Sequence, residues 1–238
     1  MEKLSRKNVL SLAATTGDAS ACDLSGINLS NVELLGFCFD GSTLRGANLS
    51  SANLSGSSFK HADLSGCNLS SSNFTGSSFI GATIDNADLT FSTFVGADFS
   101  AALLRDANFT NAKVSAARFE KADLTGANLQ MTDAGMVRCS GAVLAKCSAR
   151  GSSMIGADLS GCDLRDANLH GTDLSNANLA SADLRGADIL DATLTAADLT
   201  NADMRTARFK RTDLTRAITD GLKNDEELSE LLSRYSRK

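Results

Sequence analysis

The 238-residue chain contains no Pro and no Trp, and aromatic residues make up only 5% of it. The absence of Pro is typical of a fold in which nearly every backbone N–H joins a hydrogen-bonded ladder. Tyr235 is the sole Tyr, so the aromatic platforms on which proteins stack single-stranded nucleic acid are missing. The formal net charge of −5 offers no basic patch for a phosphate backbone. We therefore expect no direct binding to nucleic acid.

Long apolar runs are also missing from the chain. No segment approaches the roughly 18 apolar residues of a membrane-spanning helix, and residues 1–7 carry no apolar signal segment. We therefore expect no membrane partner. The six cysteines are Cys22, Cys38, Cys67, Cys139, Cys147 and Cys162. Four of them replace a small packing residue, which favours reduced thiols and a cytoplasmic location over a disulfide framework or a metal site.

The chain does contain an uninterrupted period of five residues. From Leu24 to Leu214, every fifth residue belongs to one register of 39 positions, of which 22 are Leu and 9 are Phe. The residue two before each of these centres is Ala in 22 cases. A period of five matches neither a helix nor a strand, and indicates a chain that turns a corner every five residues. The centre and the small residue point inward, and the other three positions face solvent.

A second period of 20 residues is superimposed on the first. Phe centres recur at this spacing, as do the polar residues just before the Leu centres: Phe39, Phe59, Phe79, Phe99 and Phe119; Asn28, Asn48, Asn68, Asp88, Asn108 and Asn128. Four corners then close a square coil of 20 residues, and the repeat makes about ten coils in a rod roughly 45–50 Å long. Gly and Asn recur two residues after the centre, which predicts corners with a positive φ.

These pentads carry a family resemblance. The segments Ala47-Asn48-Leu49-Ser50-Ser51, Ala122-Asp123-Leu124-Thr125-Gly126 and Ala182-Asp183-Leu184-Arg185-Gly186 follow the pattern A(D/N)LXX. The chain resembles the pentapeptide repeat family over residues 22–216. The resemblance implies an all-β solenoid, a right-handed quadrilateral β-helix.

A solenoid needs caps at both ends. Residues 1–21 are predicted to form an N-terminal cap with a short helix over 2–14, ending near Gly17. Residues 217–238 are predicted to form a C-terminal helix with one apolar face: Leu228, Leu231, Leu232 and Tyr235. This helix is expected either to cover the last coil or to pair two protomers. C-terminal elements do pair protomers in some family members, so the resemblance implies a possible homodimer.

The repeat is least regular between residues 131 and 155. The centres become small, at Ala134, Cys139 and Ala149, while four outward positions become apolar: Met131, Met136, Val143 and Ile155. The four apolar residues form a candidate surface for a protein partner, and a local narrowing of the coil is the alternative. A second outward apolar set (Ile80, Phe91, Val95 and Leu103) lies on different faces, so we do not expect it to form one patch.

Catalytic motifs are not found in this pattern. His61 and His170 are the only His residues, and they lie on outward positions of different faces. The sequence therefore predicts no enzyme, no cofactor and no metal, but a rigid scaffold for protein–protein interaction. The resemblance implies one alternative, a DNA mimic that binds a type II topoisomerase and protects gyrase from quinolones. A regulatory or host-targeting effector that recognises one protein is a further alternative.

Overall fold

The computed structural model of the chain describes residues 1–226 and residue 230. Residues that precede the centres form parallel bridges with residues 20 positions later, from Asp18 paired with Cys38 to Asp203 paired with Lys223. The predicted 20-residue coil is therefore confirmed. We number the four faces by their first centres: face I at Leu24, face II at Leu29, face III at Leu34 and face IV at Phe39. Each edge is named for the two faces that it joins.

The hydrogen bonds of one pentad explain the sequence pattern. In residues 47–51, the first N–H closes a turn onto the carbonyl three residues earlier, at 2.8 Å. The second, third and fifth N–H groups donate to neighbouring coils at 2.7 to 3.0 Å. The fourth, from Ser50, donates to Oδ1 of Asn48 at 3.0 Å. An Asp or Asn before the centre therefore satisfies the one N–H group that the ladder leaves over.

The corners are type II turns, and they depart from expectation in their composition. From Ala21 to Gly221, every fifth residue has a positive φ, as the Gly and Asn pattern predicts. Many of these positions carry other residues, among them Phe91, Met131 and Thr206. The ladder bonds on both sides fix the corner, so these side chains occupy a conformation that normally costs a non-glycine residue free energy.

The core is a shaft filled by the centres and the small residues. The Phe centres of face IV stack with ring centroids 4.7 to 4.9 Å apart and nearly parallel planes. Buried hydroxyls at the small position donate to a carbonyl 23 residues earlier, as Ser72 does to Leu49 at 2.7 Å and Thr132 to Phe109 at 3.0 Å. Small polar residues are accepted in the shaft because each has a fixed acceptor.

The N-terminal segment forms one helix, α1, over Arg6–Ala13. It is shorter than the expected 2–14, because Ser5 caps it and Lys3 forms a ladder bridge with Asp23. Val9 is fully buried in the core. Among the described residues no helix is long and apolar enough to span a membrane. The predicted C-terminal face, Leu228, Leu231, Leu232 and Tyr235, lies outside the described residues.

Candidate functional site

The four residues of the predicted partner surface are divided among three parts of the coil. Met136 and Ile155 lie together on the III/IV edge, where the Met136 N–H donates to the Ile155 carbonyl at 2.9 Å. Met131 lies on the II/III edge. Val143 lies half-buried on face I, opposite the face that carries Ile155. The structure therefore brings two of the four residues into one patch.

The patch at the III/IV edge is exposed and strained. The Met136 side chain is 71% exposed, and Ile155 is 42% exposed. Met136 also has a φ of 56°, in the left-handed region. Its side chain lies over Gly156, where an added Cβ would be 3.7 Å from Cγ of Met136. A large apolar side chain in this conformation gains nothing from burial in the isolated chain, which points to a surface contact.

Sequence reasoning missed the extent of this edge. Leu35 and Val95 occupy the same position in their pentads as Ile155, and they are 63% and 37% exposed. All three residues follow a face III centre directly, so they stand in one column along the rod. The available signal was the 60-residue spacing, which is a multiple of the coil length. Phe91, by contrast, is 66% exposed on the II/III edge.

The III/IV edge is also free of charge over most of its length. No Asp, Glu, Lys, Arg or His occurs at its two outward positions between residues 35 and 196, all within the described part of the chain. The glycines there include Gly56, Gly76 and Gly96, around which an added Cβ would meet nothing within 4 Å. The edge is thus an uncharged strip with small residues between a few apolar side chains.

Met131 lies in a different environment. It lines a shallow surface groove of about 330 Å³ together with Arg150 and His170. Nε2 of His170 lies 3.7 Å from Oδ2 of Asp191. The II/III edge is therefore polar and charged in its second half, and it is distinct from the uncharged strip.

Face I carries a ladder of ion pairs. It comprises Asp163–Arg165, Asp183–Arg185 and Asp203–Arg205, each with an Nη2 to Oδ2 distance of 2.6 Å. Nε of Arg165 and Arg185 also lies 3.8 and 3.9 Å from the Asp of the next coil. The hydrogen bond from Arg205 is the main reason that the pKa of Asp203 falls to about 2. The carboxylates are compensated locally.

Buried thiols and His residues form no chemical site in the described part of the chain. All six cysteines are free. Burial raises the pKa of the Cys67, Cys147 and Cys162 thiols to about 12, which keeps them protonated and unreactive. No group of three or more His, Cys, Asp or Glu side chains among the described residues could hold a metal ion.

Comparison with family models identifies the class of protein. Residues 55–129 match the pentapeptide repeat region model, and four segments match the model for eight copies of the pentapeptide repeat: 22–61, 138–176, 162–205 and 190–218. The chain therefore belongs to the pentapeptide repeat family. Pentapeptide repeat proteins fold as right-handed quadrilateral β-helices, so the predicted fold class is confirmed at that level.

Solved structures provide three comparisons. HetL, involved in heterocyst differentiation regulation in the cyanobacterium Nostoc sp. strain PCC 7120, is 27% identical, with 92% of this chain and 96% of that chain covered and a TM-score of 0.38. A trypsin-treated form of QnrB1, a plasmid-mediated fluoroquinolone resistance protein, is 23% identical, with 78% and 96% covered and a TM-score of 0.53. A pentapeptide repeat protein from the Arabidopsis thaliana thylakoid lumen is 35% identical, with 50% and 67% covered and a TM-score of 0.32. The search of curated proteins gave no match.

Proposed function

We propose that this protein is a non-catalytic, rigid scaffold for protein–protein interaction, and that the III/IV edge is its contact surface. One observation carries the proposal: Met136 is 71% exposed in a left-handed backbone conformation, next to exposed Ile155, on a strip without charge. Contiguous exposed apolar groups on an otherwise polar surface mark interaction sites. The free, mostly buried cysteines support a reducing location, the cytoplasm.

The proposal includes the organisation of the chain. Residues 1–21 form an N-terminal cap, in which α1 covers apolar surface through Val9. Residues 22–216 form the rod, which at 20 residues a coil makes about ten coils and measures roughly 45–50 Å at the spacing of β-ladders. A rod of this kind holds its outward side chains at fixed distances, so it presents a contact surface without ordering loops on binding.

A capture experiment with matched variants tests the interaction surface. Tagged full-length protein carrying Met136→Asp and Ile155→Asp is compared with the wild type and with Met131→Asp in an extract of the source cells. Met131→Asp is the control, because it changes the same residue type at the same corner position on the neighbouring edge. We expect the double variant alone to lose its bound proteins. An unchanged set of bound proteins, with unchanged circular dichroism, would remove this edge as the site.

The DNA-mimic function implied by the family resemblance is a weaker proposal. QnrB1 is a fluoroquinolone resistance protein, but its 23% identity supports the shared fold and nothing finer. The positive charges of Arg165, Arg185 and Arg205 offset the carboxylates of face I. A strongly acidic surface, which a duplex mimic needs, is thus not formed on that face. A gyrase supercoiling assay with a quinolone tests the idea, and unchanged drug sensitivity at micromolar protein would reject it. An effector role would require the capture of one specific protein.

A further inference from the structure

The exposed apolar residues of the III/IV edge are evenly spaced. Leu35, Val95 and Ile155 are separated by 60 residues each, which is three coils of 20. At the ladder spacing of about 4.8 Å, neighbouring members of this column stand about 14 Å apart. The column is therefore symmetric about Val95. An isologous two-fold interface requires this kind of surface, because each patch must be complementary to itself when reversed.

We propose that a second copy of this chain docks antiparallel along the III/IV edge, with the two-fold axis at Val95. The axis places Val95 against its own copy and Leu35 against Ile155 of the second copy. The same operation places Met136 over Gly56 of the second copy. Gly56 has no heavy atom within 4 Å of an added Cβ, so it offers open space for an exposed methionine side chain. The proposal rests on the proposed function, since it names the partner at that same surface.

The small residues of the edge allow close approach. The two-fold operation sets Ala116 opposite Gly76, and Gly36 opposite Gly156, while Gly96 meets its own copy near the axis. None of these residues carries a side chain beyond a methyl group, so the backbones can approach while the larger side chains interdigitate. Met136 is then a knob that meets a glycine rather than a second large side chain.

The flanks of the edge carry no opposed like charges on face III. The same axis sets Lys113 opposite Asn73, Asp133 opposite Asn53, and Glu33 opposite Ser153. On face IV, Asp98 meets its own copy, and Nε of Arg118 lies 3.7 Å from its Oδ2 and balances its charge. Like charges brought together at an interface are destabilising, so this pattern permits the antiparallel pairing.

The size of the contact predicts a weak dimer. From Leu35 to Ile155 the edge covers six coils, or about 29 Å. A strip of this length and one or two side chains wide buries roughly 1,000 Å² in total, at the low end of specific interfaces. We therefore expect a dissociation constant on the order of 10 to 100 μM, which a dilute preparation would not reveal. The observations favour a second copy over an unrelated protein, because only self-pairing uses the symmetric spacing.

Sedimentation equilibrium of the full chain up to about 300 μM tests the proposal. Val95→Arg places two guanidinium groups together at the axis, so the dissociation constant should rise by at least about tenfold, or 1.4 kcal/mol. Ile80→Arg is the control, because Ile80 holds the same pentad position on face IV, and it should leave the constant unchanged. Circular dichroism confirms that both variants are folded.

A charge-reversal pair tests the antiparallel orientation. Leu35→Glu alone should weaken the dimer, and so should Ile155→Lys alone. The double variant should restore association, because the two-fold axis brings one carboxylate and one ammonium group together at each end. Failure of the double variant to associate, when each single variant is folded, overturns the antiparallel arrangement.

The remaining outcomes separate this inference from the proposed function. A chain that stays monomeric at 300 μM, or a dimer that tolerates Val95→Arg, overturns self-association at this edge. If Met136→Asp with Ile155→Asp still abolishes capture of a different protein, the proposed scaffold function stands and only the identity of the partner was wrong. If that double variant also captures normally, the proposed function fails as well.

Discussion

The corners of the coil provide a direct test of what stabilises the fold. Ala21, Gly41, Ala101 and Gly161 occupy one column on the IV/I edge, and all have a φ between 51° and 64°. Around Gly41 and Gly161, an added Cβ would meet no heavy atom within 4 Å. Substitutions in this column therefore change the backbone preference of the corner and very little else.

The magnitude follows from two opposing effects. A Cβ in the left-handed region costs roughly 1–2 kcal/mol, and a glycine loses about 0.5–1 kcal/mol more conformational entropy on folding than alanine. Ala101→Gly should therefore raise the free energy of unfolding by about 0.5–1 kcal/mol, and Gly41→Ala should lower it by a similar amount. Ala21→Gly with Ala101→Gly should be nearly additive, because the two corners are four coils apart.

Urea unfolding followed by far-ultraviolet circular dichroism measures these changes. The slope of the transition should stay constant, and its midpoint should move to higher urea for Ala→Gly and to lower urea for Gly→Ala. The reasoning would be refuted if Ala101→Gly and Gly41→Ala shifted the midpoint in the same direction. It would also fail if neither moved it, since the corner conformation would then carry no measurable cost.

Three further predictions follow from individual contacts. The hydrogen-bonded carboxylates of face I have lowered pKa values, so the stability they supply should be present above pH 4 and lost as the pH falls toward the pKa of Asp203, about 2; acid titration of the urea midpoint measures this, and an unchanged midpoint at pH 2.5 would contradict it. Alkylation of the native protein at pH 8 should modify Cys22 and Cys38 first, because the other four thiols are buried, and full modification should require denaturant; mass spectrometry identifies the sites. Gly81→Ala should destabilise the chain by about 1–3 kcal/mol, because its Cβ would lie 2.6 Å from Nδ1 of His61 in a left-handed corner, and His61→Gly in the same chain should recover part of the loss in thermal unfolding.

The sequence predicted the coil because its signal is repeated many times. Phe39 and Phe59 identify the 20-residue coil even though neither residue alone favours any element, and the stacked rings confirm the register. The occupants of the corners could not be predicted in this way. Phe91 and Thr206 have no intrinsic preference for a positive φ, and they adopt it because the hydrogen bonds of adjacent coils fix the turn around them.

The candidate site was predicted only in part, for a geometrical reason. The irregular stretch drew attention to Met131, Met136, Val143 and Ile155 as neighbours in sequence. On a square coil, residues ten positions apart face opposite directions, so Val143 and the Ile155 centre cannot share a surface. The relevant neighbours of Ile155 are found at multiples of 20, and this relation becomes visible only when the sequence is written one coil per line.

The hydrogen bonding of the pentad has a consequence for insertions and deletions. Each pentad satisfies its own backbone, so an indel of five residues preserves the ladder and the shaft but turns every later side chain by a quarter of the square. An indel of 20 residues preserves the faces as well. Foldability is therefore conserved modulo five, whereas surface function is conserved modulo twenty. One inserted pentad between Val95 and Ile155 would leave a sound solenoid whose apolar column no longer exists.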